Sequence, residues 1–170
     1  MRGGRQHLAV LLAALVLPTI VWALSLTPEH GIRGITTFCV QYVVLDETPV
    51  LENASGVESD SVRELRRLGV PADTFDHCSM SATSAQLFLS VRGTPSSSGK
   101  LWAYVVTVEL LQVAKLDRDP TLKLDSGVVT YSNAVVGLAS VEHLPVAVSK
   151  TVVDLTRAFG KLVRDEKGRH

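Results

Sequence analysis

Four side chains able to bind metal or move protons fall within six positions in Asp73-x-x-Asp76-His77-Cys78. Aspartate and histidine donors suit a divalent cation, and a cysteine thiolate favours zinc or copper. Neighbouring ligands on one loop seldom close a tetrahedral site without a remote partner, and a disulfide through Cys78 would remove the thiolate. The competing reading is a solvated turn carrying one buried or bridged cysteine. Asp73, Asp76 and His77 are therefore the candidate site residues, for a small-ligand or metal site or for a hydrolase that recruits a distant histidine. Of the five histidines, His7 leaves with the leader, and a pocket joining His77 to His30 or His143 would supply the partner.

Other chemistry is sparse. The chain contains no Gly-x-Ser-x-Gly elbow, P-loop, Gly-x-Gly-x-x-Gly, Cys-x-x-Cys or His-Glu-x-x-His, so no catalytic residue, metal or cofactor is assigned. Asp117, Asp119 and Asp125 lack the spaced glycine and terminal glutamate of a calcium loop and read as a solvated turn. Arg63, Arg66 and Arg67 read as the polar face of a surface helix, or as a contact with anionic lipid beside a membrane. Asn53-Ala54-Ser55 matches a glycosylation sequon that matters only in a eukaryotic secretory pathway.

The elements that must position these residues follow from periodicity. Between Ile35 and Leu45, Phe38, Val40, Tyr42 and Val44 alternate with Thr37, Cys39 and Gln41, which predicts a half-buried strand. Ser55-Gly56-Val57-Glu58 has capping-box spacing for a helix whose apolar stripe is Val62, Leu65 and Leu68, stopped by Gly69 and Pro71. Beyond the polar loop with Asp73 to Cys78, a second strand turns Ala85, Leu87, Leu89 and Val91 inward, although Phe88 interrupts its polar side. Gly93 to Lys100 has the composition of a mobile hairpin loop, and a long third strand runs from Leu101 to Val113. A charged loop from Leu116 to Asp125 precedes a fourth strand from Gly127 to Val136, bulged or bent near Asn133. Leu144, Val148, Val152, Leu155, Phe159 and Leu162 then recur at helical steps, with Pro145 in the first turn. The order β-α-β-β-β-α predicts an α/β fold of the α+β type: a four-stranded mixed sheet with two helices on one face.

The N-terminus supplies the address. Arg2 and Arg5 precede an uncharged apolar run from Leu8 to Leu26, with Pro18 and small residues near Ala23 and Ser25, the order of a signal peptide. Its length also allows an uncleaved anchor formed by residues 8–26. The expected division is a signal peptide or signal anchor over residues 1–25, a linker over 26–33, a single domain over 34–166 and a tail over 167–170. The full chain balances 17 basic against 17 acidic residues, and cutting after Ala23 removes two arginines and leaves a net charge of −2, which argues against a nucleic-acid partner. In an oxidising compartment Cys39 and Cys78 can bridge, the alternative being two separate small hydrophobes.

The segments Ile32-Arg33-Gly34-Ile35 and Leu101 to Gln112, together with the closing helix carrying Phe159, resemble a group of small exported bacterial α/β proteins of uncharacterised function. That resemblance implies an extracytoplasmic α/β domain and no catalytic residues. The expected function is an exported, non-catalytic binding or assembly module of the cell envelope, periplasmic or extracellular. Its partner would be another envelope protein met through the less covered sheet face, a strand edge, or Trp102 and Tyr104 near the hairpin. Membrane contact is expected only if the N-terminal segment stays uncleaved.

Overall fold

A computed structural model describes residues 32, 34–45, 51, 56–79, 81–112, 115–116, 119–123 and 128–168. The leader, most of the linker, the sequon and the end of the tail lie outside the described residues, as do the side chains of Asp117, Asp119 and Asp125. In chain order the elements are β1 (Thr37–Leu45), α1 (Val57–Arg67), β2 (Ala72–Thr74), a 3₁₀ turn (Phe75–His77), β3 (Ser84–Pro95), β4 (Leu101–Gln112), β5 (Lys115–Leu116), β6 (Asp119–Lys123), β7 (Val128–Ser140) and α2 (Leu144–Lys167). The α+β class is as expected, but the sheet has five strands rather than four, in the order β2-β1-β3-β4-β7. β1 runs parallel to β2 and β3, whereas β3, β4 and β7 form an antiparallel meander.

The extra strand is β2, three residues long and so too short to display an alternating pattern. It lies inside the stretch read as a polar loop, and its neighbour β1 draws it in: Phe38 N–H donates to Pro71 O at 3.0 Å, and Cys39 stands opposite Asp73. Two further departures have local causes. The expected loop at 116–125 contains β5 and β6, which pair only with each other. β7 continues past Val136 to Ser140 because Gly137 leaves space for the ring of its cross-strand partner Tyr104, which a Cβ at 137 would overlap. The bulge falls not at Asn133 but beside Thr130, where the register shifts between Leu110 and Leu111 and Thr130 Oγ1 donates to Leu110 O at 3.3 Å.

Alternation in β1, β3 and β4 sends Phe38, Val40, Leu87, Leu89, Val91, Val106, Val108 and Leu110 to one buried face. Against it lies α2, which buries Leu144, Val148, Val152, Leu155, Phe159 and Val163 at three- and four-residue steps, with Pro145 in its first turn. The Phe159 ring meets Phe38 edge-on at 5.4 Å and Tyr131 at 5.3 Å between centroids, so one side chain joins α2 to both β1 and β7. α1 packs beside α2 at Gly160, where an added Cβ would come within 2.7 Å of Leu68 Cδ1. No described helix covers the opposite sheet face. Replacing Phe159 with Ala is expected to cost about 3–5 kcal/mol, seen as a lower urea midpoint at unchanged slope. A loss below about 1 kcal/mol would show that the ring contacts do not hold helix to sheet.

Candidate functional site

The segment from β2, the edge strand of the sheet, through the 3₁₀ turn buries only Ala72 and is held largely by a dense set of polar and covalent ties. Glu58 is central to it. Rather than completing a capping box, since α1 begins at Val57 behind Gly56 with no side-chain cap, its carboxylate accepts from Tyr42 N–H and Phe75 N–H, both at 3.3 Å. The first of these bonds serves the side of β1 that β2, paired only with Phe38 to Val40, does not reach. The second fixes the start of the turn. Asp73 Oδ1 accepts from Thr74 N–H at 2.9 Å, Thr74 Oγ1 lies 2.8 Å from His77 Nδ1, and Cys78 N–H donates to Phe75 O at 3.2 Å. Immediately after the turn, Cys78 is joined to Cys39 in a disulfide, with a Cα–Cα distance of 5.6 Å.

Arginines from α1 complete the arrangement. Arg66 Nε donates to Ala72 O at 2.7 Å, and its Nη2 lies 3.3 Å from Asp73 Oδ2. Arg63 pairs with Asp60 one turn earlier and is three-quarters exposed. Between this helix face and the turn lies an open cleft of about 480 Å³ lined by Ser59, Val62, Arg63, Arg66, Asp73, Thr74 and His77. Asp73 and His77 thus share one cleft, whereas Asp76 is exposed outside its lining and Cys78 has no thiolate to offer. Among the described residues no three His, Cys, Asp or Glu side chains come together as a metal site. His143 lies past β7, at the opposite end of the strand order from β2, and bonds Ser140 Oγ at 2.8 Å; His30 is outside the described residues. No described histidine joins His77 as the partner a hydrolase would need.

Trp102 and Tyr104, the candidate interaction residues near the hairpin, offer little accessible surface. Both point to the helix-covered side, where Trp102 is half-buried and Tyr104 is buried, its hydroxyl 3.3 Å from Thr151 Oγ1. Tyr42 shares that side, and burial pushes its phenol up to about 12, which makes it a packing group rather than an acid at neutral pH.

Two features were missed at the level of sequence. One is the meeting of Arg63 and Arg66 with the Asp73 loop, for which the only signal was three arginines on the helix face that follows β1. The other is the seam between helices. Glu64, on α1, accepts a bidentate pair of bonds from Arg67 at 2.8 and 3.0 Å and a third from Arg157 Nε on α2 at 2.6 Å. Arg157 continues to Asp154 at 2.7 Å. Hydrogen bonds from Arg67 first, then Arg157, outweigh burial and hold the Glu64 carboxyl at about 2, against an ordinary 4.5. This seam fixes the helix that carries Arg63 and Arg66.

No protein-family model matches the chain, and no curated protein matches it in sequence. Among solved structures, a PelC dodecamer from Paraburkholderia phytofirmans is similar over 74% of this chain and 86% of that chain, at 18% identity and a TM-score of 0.43. A likeness that loose identifies neither family nor function.

Because the folded-state pKa of Glu64 is depressed, its stabilisation is present above the unfolded value of 4.5 and is lost as pH falls toward about 2. Glu64→Gln should cost about 1–2 kcal/mol at neutral pH and flatten the acid limb of stability against pH; an unchanged limb would remove Glu64 as its source. Replacing Cys39 and Cys78 together with serine should lower stability by up to about 4 kcal/mol on the chain-entropy account and speed amide exchange at Asp73 to Cys78. Unaltered exchange there would mean that the polar ties alone hold the turn.

Proposed function

We propose that the chain is an exported, non-catalytic binding or assembly module of the cell envelope, which engages another envelope protein through its uncovered sheet face and the adjoining β7 edge. The carrying observation is the asymmetry of the sheet. One face lies under both helices, while the other presents Val136 at 63% exposure and Leu138 at 75%, with Leu101 half-exposed nearby. These residues stand in or beside β7, a 13-residue strand with no charged side chain that pairs with β4 alone among the described residues. Edge strands in isolated proteins are commonly short, charged or covered, and a long uncharged edge flanked by exposed valine and leucine suits strand addition by a partner. On the same face a depression of about 330 Å³ is lined by Leu45, Phe88, Arg92, Thr107 and Glu109, which adds polar groups able to orient what docks there.

Export rests on the basic and apolar leader and is supported by the Cys39–Cys78 disulfide, since such bridges persist in oxidising compartments. Among the described residues no helix is long and apolar enough to cross a membrane; an uncleaved leader would anchor the chain through residues 8–26. The partner surface passes from Trp102 and Tyr104 to Val136, Leu138 and Leu101.

Fractionation of the expressed chain, with its N-terminus read by mass spectrometry, should place it outside the cytoplasm; an intact chain in the cytosol would sink the export reading. A photo-crosslinker at position 136 or 138 should yield a discrete adduct with an envelope protein, and the same probe at Lys161 on the exposed side of α2 should not. Equal labelling at all three positions, or none, would overturn the interface.

A further inference from the structure

We infer that the cleft between α1 and the β2 turn is an anion site for a phosphate group, contributed by a free phosphate, a phosphomonoester or a phospholipid headgroup. Two guanidinium groups, Arg63 and Arg66, and one carboxylate, Asp73, line the cleft, with Asp60 paired to Arg63 beside it. The hydroxyls of Ser59 and Thr74 add neutral donors. Where Thr74 Oγ1 donates to His77 Nδ1, the imidazole bears its proton on Nε2 and can donate from there. Donors arriving from a helix on one side and a turn on the other surround a tetrahedral oxyanion better than they match a planar carboxylate.

The site is also preorganised. Arg66 is oriented by Ala72 O through Nε, and its contact with Asp73 uses Nη2, which leaves Nη1 for a ligand. The turn opposite is fixed by Glu58 at Phe75 and by the disulfide at Cys78, so little order has to be created on binding. The carboxylates already present are weak competitors. Asp60 and Asp73 are each more than two-fifths exposed, and the arginines they pair with are more than half exposed. Exposed pairs of this kind contribute little, so both guanidiniums can exchange them for a doubly charged acceptor. The cleft lies at the β2 edge, and the inference does not depend on the sheet-face interface at β7.

The test is a titration of the full chain, expressed with its leader and purified as the host processes it, with inorganic phosphate and with glycerol phosphate, followed by amide shifts. Saturable shifts confined to Ser59 through Arg66 and Asp73 through Cys78 are expected. Arg63→Gln, at an exposed position outside the tertiary packing, should weaken binding about tenfold. Asp73→Asn keeps an oxygen for Thr74 N–H while removing the competing charge, and should tighten binding severalfold; a purely structural role for Asp73 would not produce that gain. Cosedimentation with phosphatidylcholine vesicles that contain phosphatidylglycerol, but not with phosphatidylcholine alone, assigns the phosphate to a lipid headgroup when it shows the same two variant effects. Shifts with the soluble phosphates and no such cosedimentation assign it to a soluble ligand. Absence of saturable response to every probe, or responses that neither variant alters, overturns the site.

Discussion

The fold depends on one aromatic contact that reaches across the sheet. Phe38 belongs to β1 and Tyr131 to β7, with β3 and β4 between them, and Phe159 of α2 touches both rings. Three strand spacings are about 14 Å, which one ring with centroid distances of 5.4 and 5.3 Å bridges only because its two partners lean toward it. Once α2 is laid across these strands, the hydrophobic stripe from Leu144 to Val163 has only one face to meet. α1, following β1 in the parallel crossover, packs on the same side. That no described helix covers the opposite face is thus the consequence of placing both helices on one side, and its exposed valine and leucine carry no role in holding the helices.

The helices themselves meet through small and polar groups. Gly160 lets α1 approach, and Ser61 and Thr156, both fully buried, share a hydroxyl bond at 3.4 Å. Beside them Glu64 is almost buried and would be costly to ionise alone, so its three arginine hydrogen bonds are a condition of its presence there. A seam of this kind sets register more strictly than an apolar one, because a shift of one residue would take Arg157 out of reach of Glu64 and leave Arg67 as its only partner there. It therefore determines where Arg63 and Arg66, on the outward side of the same helix, face the β2 turn.

What could be read from the residues alone follows the range of the interaction. Alternation in β1, β3 and β4 and the helical stripe of α2 are local patterns, and the corresponding elements appear where the periodicity places them. β2 escaped because three residues have no period, and because what makes Ala72 to Thr74 a strand is β1, more than thirty positions earlier. Glu58 has the spacing of a capping residue, yet the backbone groups it serves belong to Tyr42 and Phe75, and no short-range rule points to them. Tyr104 is a candidate interaction residue by its nearness to the hairpin, yet it is buried under the helices. Its alternation with Val106 and Val108 on the same face agrees with that burial, and Gly137 opposite it is the small residue that its ring requires. Of the candidate loop, the grouping of Asp73 with His77 was visible in sequence, whereas the arginines that line their cleft come from a separate element.

The two surfaces stand at opposite ends of one strand order, β2 with its cleft at one edge and β7 with its apolar residues at the other. Between them lie three continuously paired strands whose inward side chains are close-packed under α2, an arrangement without an evident second conformation. Coupling between distant sites requires an element with two states that both sites bias. The β2 turn is the segment whose order rests mainly on polar bonds and a disulfide, but it borders only the first surface. Occupation of the cleft by the proposed anion would therefore stiffen the turn and α1 without altering the β7 edge, and the proposed anion and the proposed partner would act independently, each at its own edge.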